Sequence, residues 1–270
     1  MPLRASTTLC AVIGWPIRHS RSPAMHNAAF AALGLDWAYV AFPVEPARLA
    51  TAIAGAGALG IRGLNVTIPH KEGVLALVDA DEEARRVGAV NTVVYDPAAP
   101  RPRGHNTDVA GVRAALDELG AEPTARAIVL GTGGAARAVV VALRARGASD
   151  LVAVSRTPGA FVVDGAPVTT VGYDALPSQL ARAELLVDAT PRGLDPAAPP
   201  LDLTPLPPTA RVLDLVVARS TALVDAARAR GLTADAGAAM LLHQGAAAFT
   251  HFTGRPAPVD VMRNALLASL

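Results

Sequence analysis

One lysine, Lys71, stands among the 24 basic residues of this 270-residue chain, and the other 23 are arginine. Arginine keeps its proton in a protein, whereas lysine can release one when its surroundings lower its pKa. A lone lysine in so arginine-biased a chain therefore points to proton transfer at that position. Lys71 follows Asn65-Val66-Thr67-Ile68-Pro69-His70, which reads as a strand ending in polar residues with a helix starting near the lysine. A cation in a first helical turn opposes the macrodipole, and that field with partial burial lowers a lysine pKa toward a catalytic range. The competing reading is an exposed lysine, at a cost of about a few tenths of a kcal/mol. Asp108 closes the cluster Gly104-His105-Asn106-Thr107-Asp108. Facing Lys71, its carboxylate would complete an acid–base pair able to move a hydroxyl proton; otherwise it is a helix N-cap.

Two further polar clusters accompany these. Ser20 and Ser22 stand two apart before Pro23, where hydroxyls at a helix N-terminus suit a carboxylate, with Ser22 also the expected N-cap. The other is Gly88-Ala89-Val90-Asn91-Thr92. Four of the five asparagines, Asn27, Asn65, Asn91 and Asn106, fall in or beside these clusters. No histidine shows metal-ligand spacing, and no metal is expected.

Gly131-Thr132-Gly133-Gly134-Ala135-Ala136 directly follows an apolar run and opens a helical pattern. Glycines there allow a tight turn and let backbone N–H groups approach a pyrophosphate at a helix N-terminus. A strand–turn–helix context of this kind predicts a dinucleotide site. The next strand ends in Ser155-Arg156-Thr157. An acid at that point would accept from the ribose 2′-hydroxyl of NAD; the arginine instead favours the 2′-phosphate of NADP. No second basic residue follows in Pro158-Gly159-Ala160.

The elements that must position these residues alternate between strand and helix, which predicts an α/β fold. Strands are expected at residues 9–14, 37–42, 63–67, 92–95, 127–130, 151–155, 168–171, 185–188 and 211–215. Helices are expected at residues 23–33, 46–56, 70–77, 81–87, 108–119, 135–146, 174–180, 221–230, 238–252 and 259–270. Residues 97–103 read as a hairpin loop, and Val109, Val112, Leu116 and Leu119 mark a helix linking two domains.

Hydrophobic residues make up 51% of the chain, enough for a sizeable core, and the net charge of +1 argues against nucleic acid or an acidic membrane as partner. The single cysteine, Cys10, excludes a disulfide framework. No apolar stretch reaches the roughly 18 residues of a membrane span, and no signal-peptide pattern opens the chain. A cytoplasmic location is the expectation.

In these motifs the chain resembles the shikimate dehydrogenase family. The resemblance runs in order over nearly its whole length: Ser20, Ser22 and Pro23; Asn65-Val66-Thr67 with Lys71; Ala89-Val90-Asn91-Thr92; Asn106-Thr107-Asp108; the glycine turn; Arg156-Thr157; Ala189-Thr190-Pro191; and Met240-Leu241 with Gln244. It implies two α/β domains with a deep cleft between them. Residues 1–107 with 238–270 would bind substrate, and residues 108–237 would form a Rossmann-like NADP-binding domain. It further implies that Ser20 and Ser22 hold a substrate carboxylate, that Thr67, Asn91 and Gln244 bind its hydroxyls, and that Lys71 and Asp108 form the acid–base pair. Gly131, Thr132, Gly133, Gly134, Ala135, Ser155, Arg156 and Thr157 would bind NADP, with Thr190, Leu215 and Gly237 near the nicotinamide. The implied reaction is reversible NADPH-dependent reduction of 3-dehydroshikimate to shikimate, by a monomer or homodimer. Quinate, aminoshikimate or NAD-preferring variants share these motifs. The chain departs from the family at Asp188 for the usual Asn, Ser155 for Asn, Leu194 for Met and Val217 for Tyr.

Overall fold

The computed structural model describes residues 3–122, 126–195 and 197–270. The described residues up to Thr107 join Leu242–Leu270 in one compact unit, and Asp108–Leu241 form the other.

The first unit is built on strands β1 (Thr8–Gly14), β2 (Trp37–Pro43), β3 (Gly63–Val66), β4 (Asp79–Ala80), β5 (Thr92–Val94) and β6 (Arg103–His105). They form a mixed sheet in the order β2-β1-β3-β5-β6-β4. β1 pairs parallel with β2 and β3, while β3–β5 and β5–β6 are antiparallel. The helices α1 (Ser22–Ala32), α2 (Leu49–Ala58) and α3 (Glu82–Val87) follow β1, β2 and β4. Parallel neighbours need crossovers, and α1 and α2 supply them. The carboxyl ends of β1 and β3 therefore lie side by side, each followed by one of the polar clusters. Ala11, Ile13, Leu64, Val66 and Val93 pack with Val44, Ile53 and Ala84 as one core.

The second unit contains α4 (Asp108–Glu118), β7 (Arg126–Leu130), α5 (Gly134–Ala145), β8 (Asp150–Val154), the short pair β9 (Val162–Val163) and β10 (Ala166–Pro167), β11 (Thr169–Val171), α6 (Leu176–Leu180), β12 (Leu185–Asp188), β13 (Arg211–Asp214), α7 (Ala222–Ala229) and β14 (Thr233–Asp235). Its main sheet is parallel throughout, in the order β11-β8-β7-β12-β13-β14. Strands buried on both faces read as continuous apolar runs. β7 and β12 do so, with Ile128, Leu130 and Leu186 fully buried. The order reverses at β7, whose carboxyl end leads into the glycine turn; an α/β sheet of this kind binds its ligand at such a switch point. The chain ends in α8 (Ala238–Thr253) and α9 (Val259–Ser269), and α9 packs on α1.

Three expectations need correction. Residues 70–77 do not form an α-helix: they are successive turns closed by a 3₁₀ turn at Leu75–Leu77. The Lys71 carbonyl accepts from Val90 N at 2.8 Å, and Gly73 sits where a first turn would have to nucleate. The macrodipole argument for Lys71 falls with the helix. Ser22 is not an N-cap but the first residue of α1; Arg21 occupies the cap position with no side-chain cap bond. Residues 46–56 and 174–180 each begin with a 3₁₀ turn, Pro46–Arg48 and Tyr173–Ala175, before α2 and α6. The short strands β4, β9, β10 and β14 carry too few residues for their alternation to stand out in the sequence.

Candidate functional site

The two polar clusters after β1 and β3 are tied together locally. Trp15 N donates to Ile68 O at 3.0 Å, and Trp15–Pro16 and Ile68–Pro69 are both cis. A Cβ at Gly14 would lie 2.6 Å from Thr67 Cγ2 and 3.1 Å from Ile68 O, so only glycine admits the Thr67 side chain against the end of β1.

From there a hydrogen-bond network crosses the unit. The Ser22 hydroxyl bonds the Tyr39 hydroxyl. Tyr39 donates to Asn65 Oδ1 at 2.7 Å. Asn65 Nδ2 donates to Thr92 Oγ1 at 3.1 Å and to Asn91 O at 3.3 Å. Asn91 Oδ1 accepts from Thr107 N at 2.7 Å, and Asn91 Nδ2 donates to Thr107 Oγ1 at 3.0 Å and to Gln244 Oε1 at 3.4 Å. All these side chains are buried, Gln244 the least so at 8% exposure. Buried polar groups joined in this way are held in one orientation, because breaking a bond leaves a desolvated donor or acceptor. Burial pushes the Tyr39 phenol well above its usual pKa, so it stays a donor.

Ser20 meets this network through its Oγ, which accepts a long bond of 3.4 Å from Ser22 N. Lys71 is partly buried, and its backbone carbonyl is pinned to Val90 beside Asn91. Asn106 Nδ2 donates to Ala89 O at 2.9 Å, fixing the segment that leads to Asp108. Asp108 is 3% exposed and opens α4 in the second unit. The first unit thus brings Ser22, Asn91 and Gln244 into one network, with Thr67 and Lys71 on the adjoining turn.

In the second unit, Gly131 has φ +101°, a conformation that favours glycine, and its N–H donates to Val154 O at 2.8 Å. Gly133 caps α5 with φ −79°, and a Cβ there would meet nothing within 4 Å. Neither backbone conformation nor a protein neighbour demands glycine at 133, and the open space at this helix N-terminus leaves room for an anion to approach the backbone. Ser155 Oγ accepts from Thr157 N at 3.3 Å, which shapes the turn carrying the exposed Arg156. These features fit a dinucleotide with a 2′-phosphate. Among the described residues, no group of three or more His, Cys, Asp or Glu could hold a metal ion. No helix among them is long and apolar enough to cross a membrane.

At the carboxyl ends of β12 and β13, Asp188 and Asp214 are register neighbours, 2% and 1% exposed. Asp188 Oδ1 accepts from Thr190 N at 2.8 Å and from Thr190 Oγ1 at 2.6 Å. Asp214 Oδ1 accepts from Val216 N at 2.9 Å, and Oδ2 from Thr221 Oγ1 at 2.7 Å. Burial pushes Asp188 up to about 6, and it raises Asp214 as well. The two carboxylates shape the loops bearing Thr190 and Leu215. A Cβ at Gly237 would lie 2.2 Å from Leu215 O, so that close approach requires glycine.

Sequence reasoning assigned no role to Tyr39, Asn65, Thr92, Thr107, Asp188 or Asp214. Asn65, Thr92 and Thr107 lay inside the quoted motifs. Asp188 was visible as a departure from the family, and Asp214 only as one residue of the strand expected at 211–215. Tyr39 sits in an ordinary strand pattern that gives no local signal.

The chain is similar to known proteins over nearly its whole length. The family described as shikimate dehydrogenase substrate binding domain matches residues 12–93, and the shikimate 5′-dehydrogenase C-terminal domain matches residues 237–267. A shikimate dehydrogenase (NADP(+)) of Moorella thermoacetica is 45% identical, over 98% of this chain and 94% of that protein. The structure of shikimate 5-dehydrogenase from Thermus thermophilus in complex with NADP(H) and shikimate is similar with a TM-score of 0.87 and 37% identity, covering 98% and 100% of the two chains. A quinate dehydrogenase from Corynebacterium glutamicum in complex with NAD is similar with a TM-score of 0.86 and 35% identity, covering 97% and 99%. With near full-length identity at this level, and with the polar network and glycine turn in place, the chain belongs to the shikimate dehydrogenase family.

Proposed function

We propose that this chain is an NADP-dependent shikimate dehydrogenase, which reversibly reduces 3-dehydroshikimate to shikimate. The observation that carries the reading is the buried network from Ser22 through Asn65 and Asn91 to Gln244, with Lys71 on the neighbouring turn. A small polyhydroxylated carboxylate needs several fixed donors and acceptors, and this unit offers them pre-organised.

In this reading Ser20 and Ser22 bind the substrate carboxylate, and Thr67, Asn91 and Gln244 its ring hydroxyls. Lys71 and Asp108 exchange the hydroxyl proton: one group takes it during oxidation and returns it during reduction. The first unit binds substrate, and the second binds NADP. Gly131, Thr132, Gly133, Gly134 and Ala135 receive the pyrophosphate, and Ser155, Arg156 and Thr157 the 2′-phosphate. Thr190, Leu215 and Gly237 line the nicotinamide end, where Asp188 and Gly237 hold their loops. NADP, when bound, supplies the hydride acceptor or donor, while the protein orients the reactants and manages the proton.

A second reading is a quinate dehydrogenase preferring NAD. The absence of a second basic residue in Pro158-Gly159-Ala160 favours it, and so does the likeness to the quinate dehydrogenase bound to NAD. The test crosses shikimate and quinate with NADP and NAD and follows the nicotinamide absorbance. Fast reduction confined to shikimate with NADP is expected. Preference for quinate with NAD would replace the first reading by the second, and no reduction in any pair by a folded protein would overturn both.

A further inference from the structure

A cation outside the Ser155-Arg156-Thr157 motif reaches from the turn after Thr190 to Tyr173, a residue that Arg156 also influences. Arg156 is followed by Thr157-Pro158-Gly159-Ala160, so the chain supplies no second positive charge directly after it. A single exposed arginine holds a phosphate weakly in water, where both charges are solvated and screened. The fold brings a second guanidinium to the neighbourhood of that turn from a different loop. Ser155 N donates to Val171 O at 3.0 Å, and a Cβ at Gly172 would lie 3.8 Å from Pro158 Cγ. The turn bearing Arg156 therefore runs alongside Gly172 and Tyr173. Arg192, in the 3₁₀ turn Pro191–Leu194 after β12, sets its guanidinium 5.8 Å from the centroid of the Tyr173 ring.

The Tyr173 phenol registers both cations. Burial and Asp188 push its pKa up, while Arg192 and Arg156 pull it down. Arg192 is also held in place: Nη2 donates to Pro199 O, and its backbone N–H donates to Thr190 Oγ1 at 3.3 Å. A partly buried guanidinium held over an aromatic ring and bonded to a carbonyl keeps less freedom to lose on binding an anion.

We propose that Arg192 is the second cation for the cofactor's 2′-phosphate, acting with Arg156 across Tyr173, and that it sets the preference for NADP over NAD. The proposal rests on the reading of the second unit as the NADP-binding one. It also gives Arg192 a task beyond its contacts with Pro199 and Tyr173, which a neutral side chain of similar length would satisfy in part.

The test is equilibrium binding by calorimetry of NADP, NAD and adenosine 2′,5′-bisphosphate to the wild-type protein, Arg192→Met and Arg192→Lys. Methionine keeps an apolar stem over Tyr173 and removes the charge. The expected result is a loss of about 10- to 100-fold for NADP and the bisphosphate in Arg192→Met, little change for NAD, and partial recovery in Arg192→Lys. Equal weakening for NADP and NAD would make Arg192 a structural residue and overturn the proposal. Unchanged NADP binding would overturn it too, while leaving the cofactor reading intact. Failure of the wild-type protein to bind NADP or the bisphosphate would overturn the cofactor reading and this proposal together.

Discussion

Acid should destabilise the first unit through a histidine that has no part in the proposed reaction. His26 is fully buried, stacked on Tyr39 with ring centroids 4.3 Å apart and planes 4° from parallel, among Phe30, Phe249 and Phe252. Neither ring nitrogen has a hydrogen-bond partner among the described residues. Burial pushes its pKa from 6.5 down to about 3. The folded state thus excludes a proton that the unfolded chain binds over that interval. Stability is fully present above the unfolded value and is lost as pH falls toward the folded one, at about 1.4 kcal/mol per pH unit. Between about pH 7.5 and about pH 4.5, His26 alone should remove about 3 kcal/mol, a large part of an ordinary stability of about 5–15 kcal/mol. His26→Phe keeps an aromatic ring against Tyr39 and removes both the titration and the unpaired nitrogens. Urea unfolding followed by tryptophan fluorescence reads this unit, because Trp15 and Trp37 both lie in it. Asp36, held below the usual carboxylate range by the Thr7 and Ser6 hydroxyls, titrates alike in both proteins and cancels in the difference. The variant's midpoint should exceed the wild-type midpoint by about 1 M more at about pH 4.5 than at about pH 7.5. Parallel pH dependences would refute the reasoning.

Other substitutions probe the proposed chemistry. Lys71→Ala should fold normally and lose turnover by about 10²-fold or more; steady-state rates near wild type would remove Lys71 from the acid–base pair. Asp188→Asn keeps an acceptor for Thr190 without the charge. Burial raises the Asp188 pKa to about 6, so folding favours its protonated form; that stability is present below about pH 3.8 and lost as pH rises through about 6. The variant should therefore gain up to about 3 kcal/mol at about pH 7.5 and converge with wild type near about pH 4, read by thermal melts; a lower melting temperature at neutral pH would contradict this. Two glycines should separate fold from ligand. Gly237→Ala drives a Cβ into the Leu215 carbonyl and should cost about 1–3 kcal/mol of stability. Gly133→Ala meets no protein atom within 4 Å, so its melting temperature should hold while NADP affinity falls about 10-fold or more. A destabilised Gly133→Ala with unchanged NADP affinity would refute the cradle.

Much of the architecture was legible because its signals are local. The apolar runs at β7 and β12, the helical spacing in α4 and the glycine turn before α5 each depend on a few consecutive residues. The hairpin between β5 and β6 was legible for the same reason, from its proline-rich loop. Errors came where a distant partner overrode local preference. A helical pattern at residues 70–77 gave way to turns once Val90 took the Lys71 carbonyl. A serine of N-cap type at 22 became part of the helix, and its hydroxyl went to Tyr39.

The alternating α/β pattern, the four polar clusters, the solitary lysine, and the glycine turn whose next strand ends in arginine instead of an acid are all legible without the fold. Those features are written in adjacent residues, so periodicity and turn chemistry suffice to read them. Only the folded chain sets Asn91 against Gln244, 153 positions away, links Ser22 to Asn65 through Tyr39, and lays Arg192 over Tyr173, whose phenol Arg156 also influences. These are pairings of side chains from separate strands and loops, whose meeting depends on strand order and crossover geometry, and no local pattern in the chain encodes which loops a sheet will set side by side.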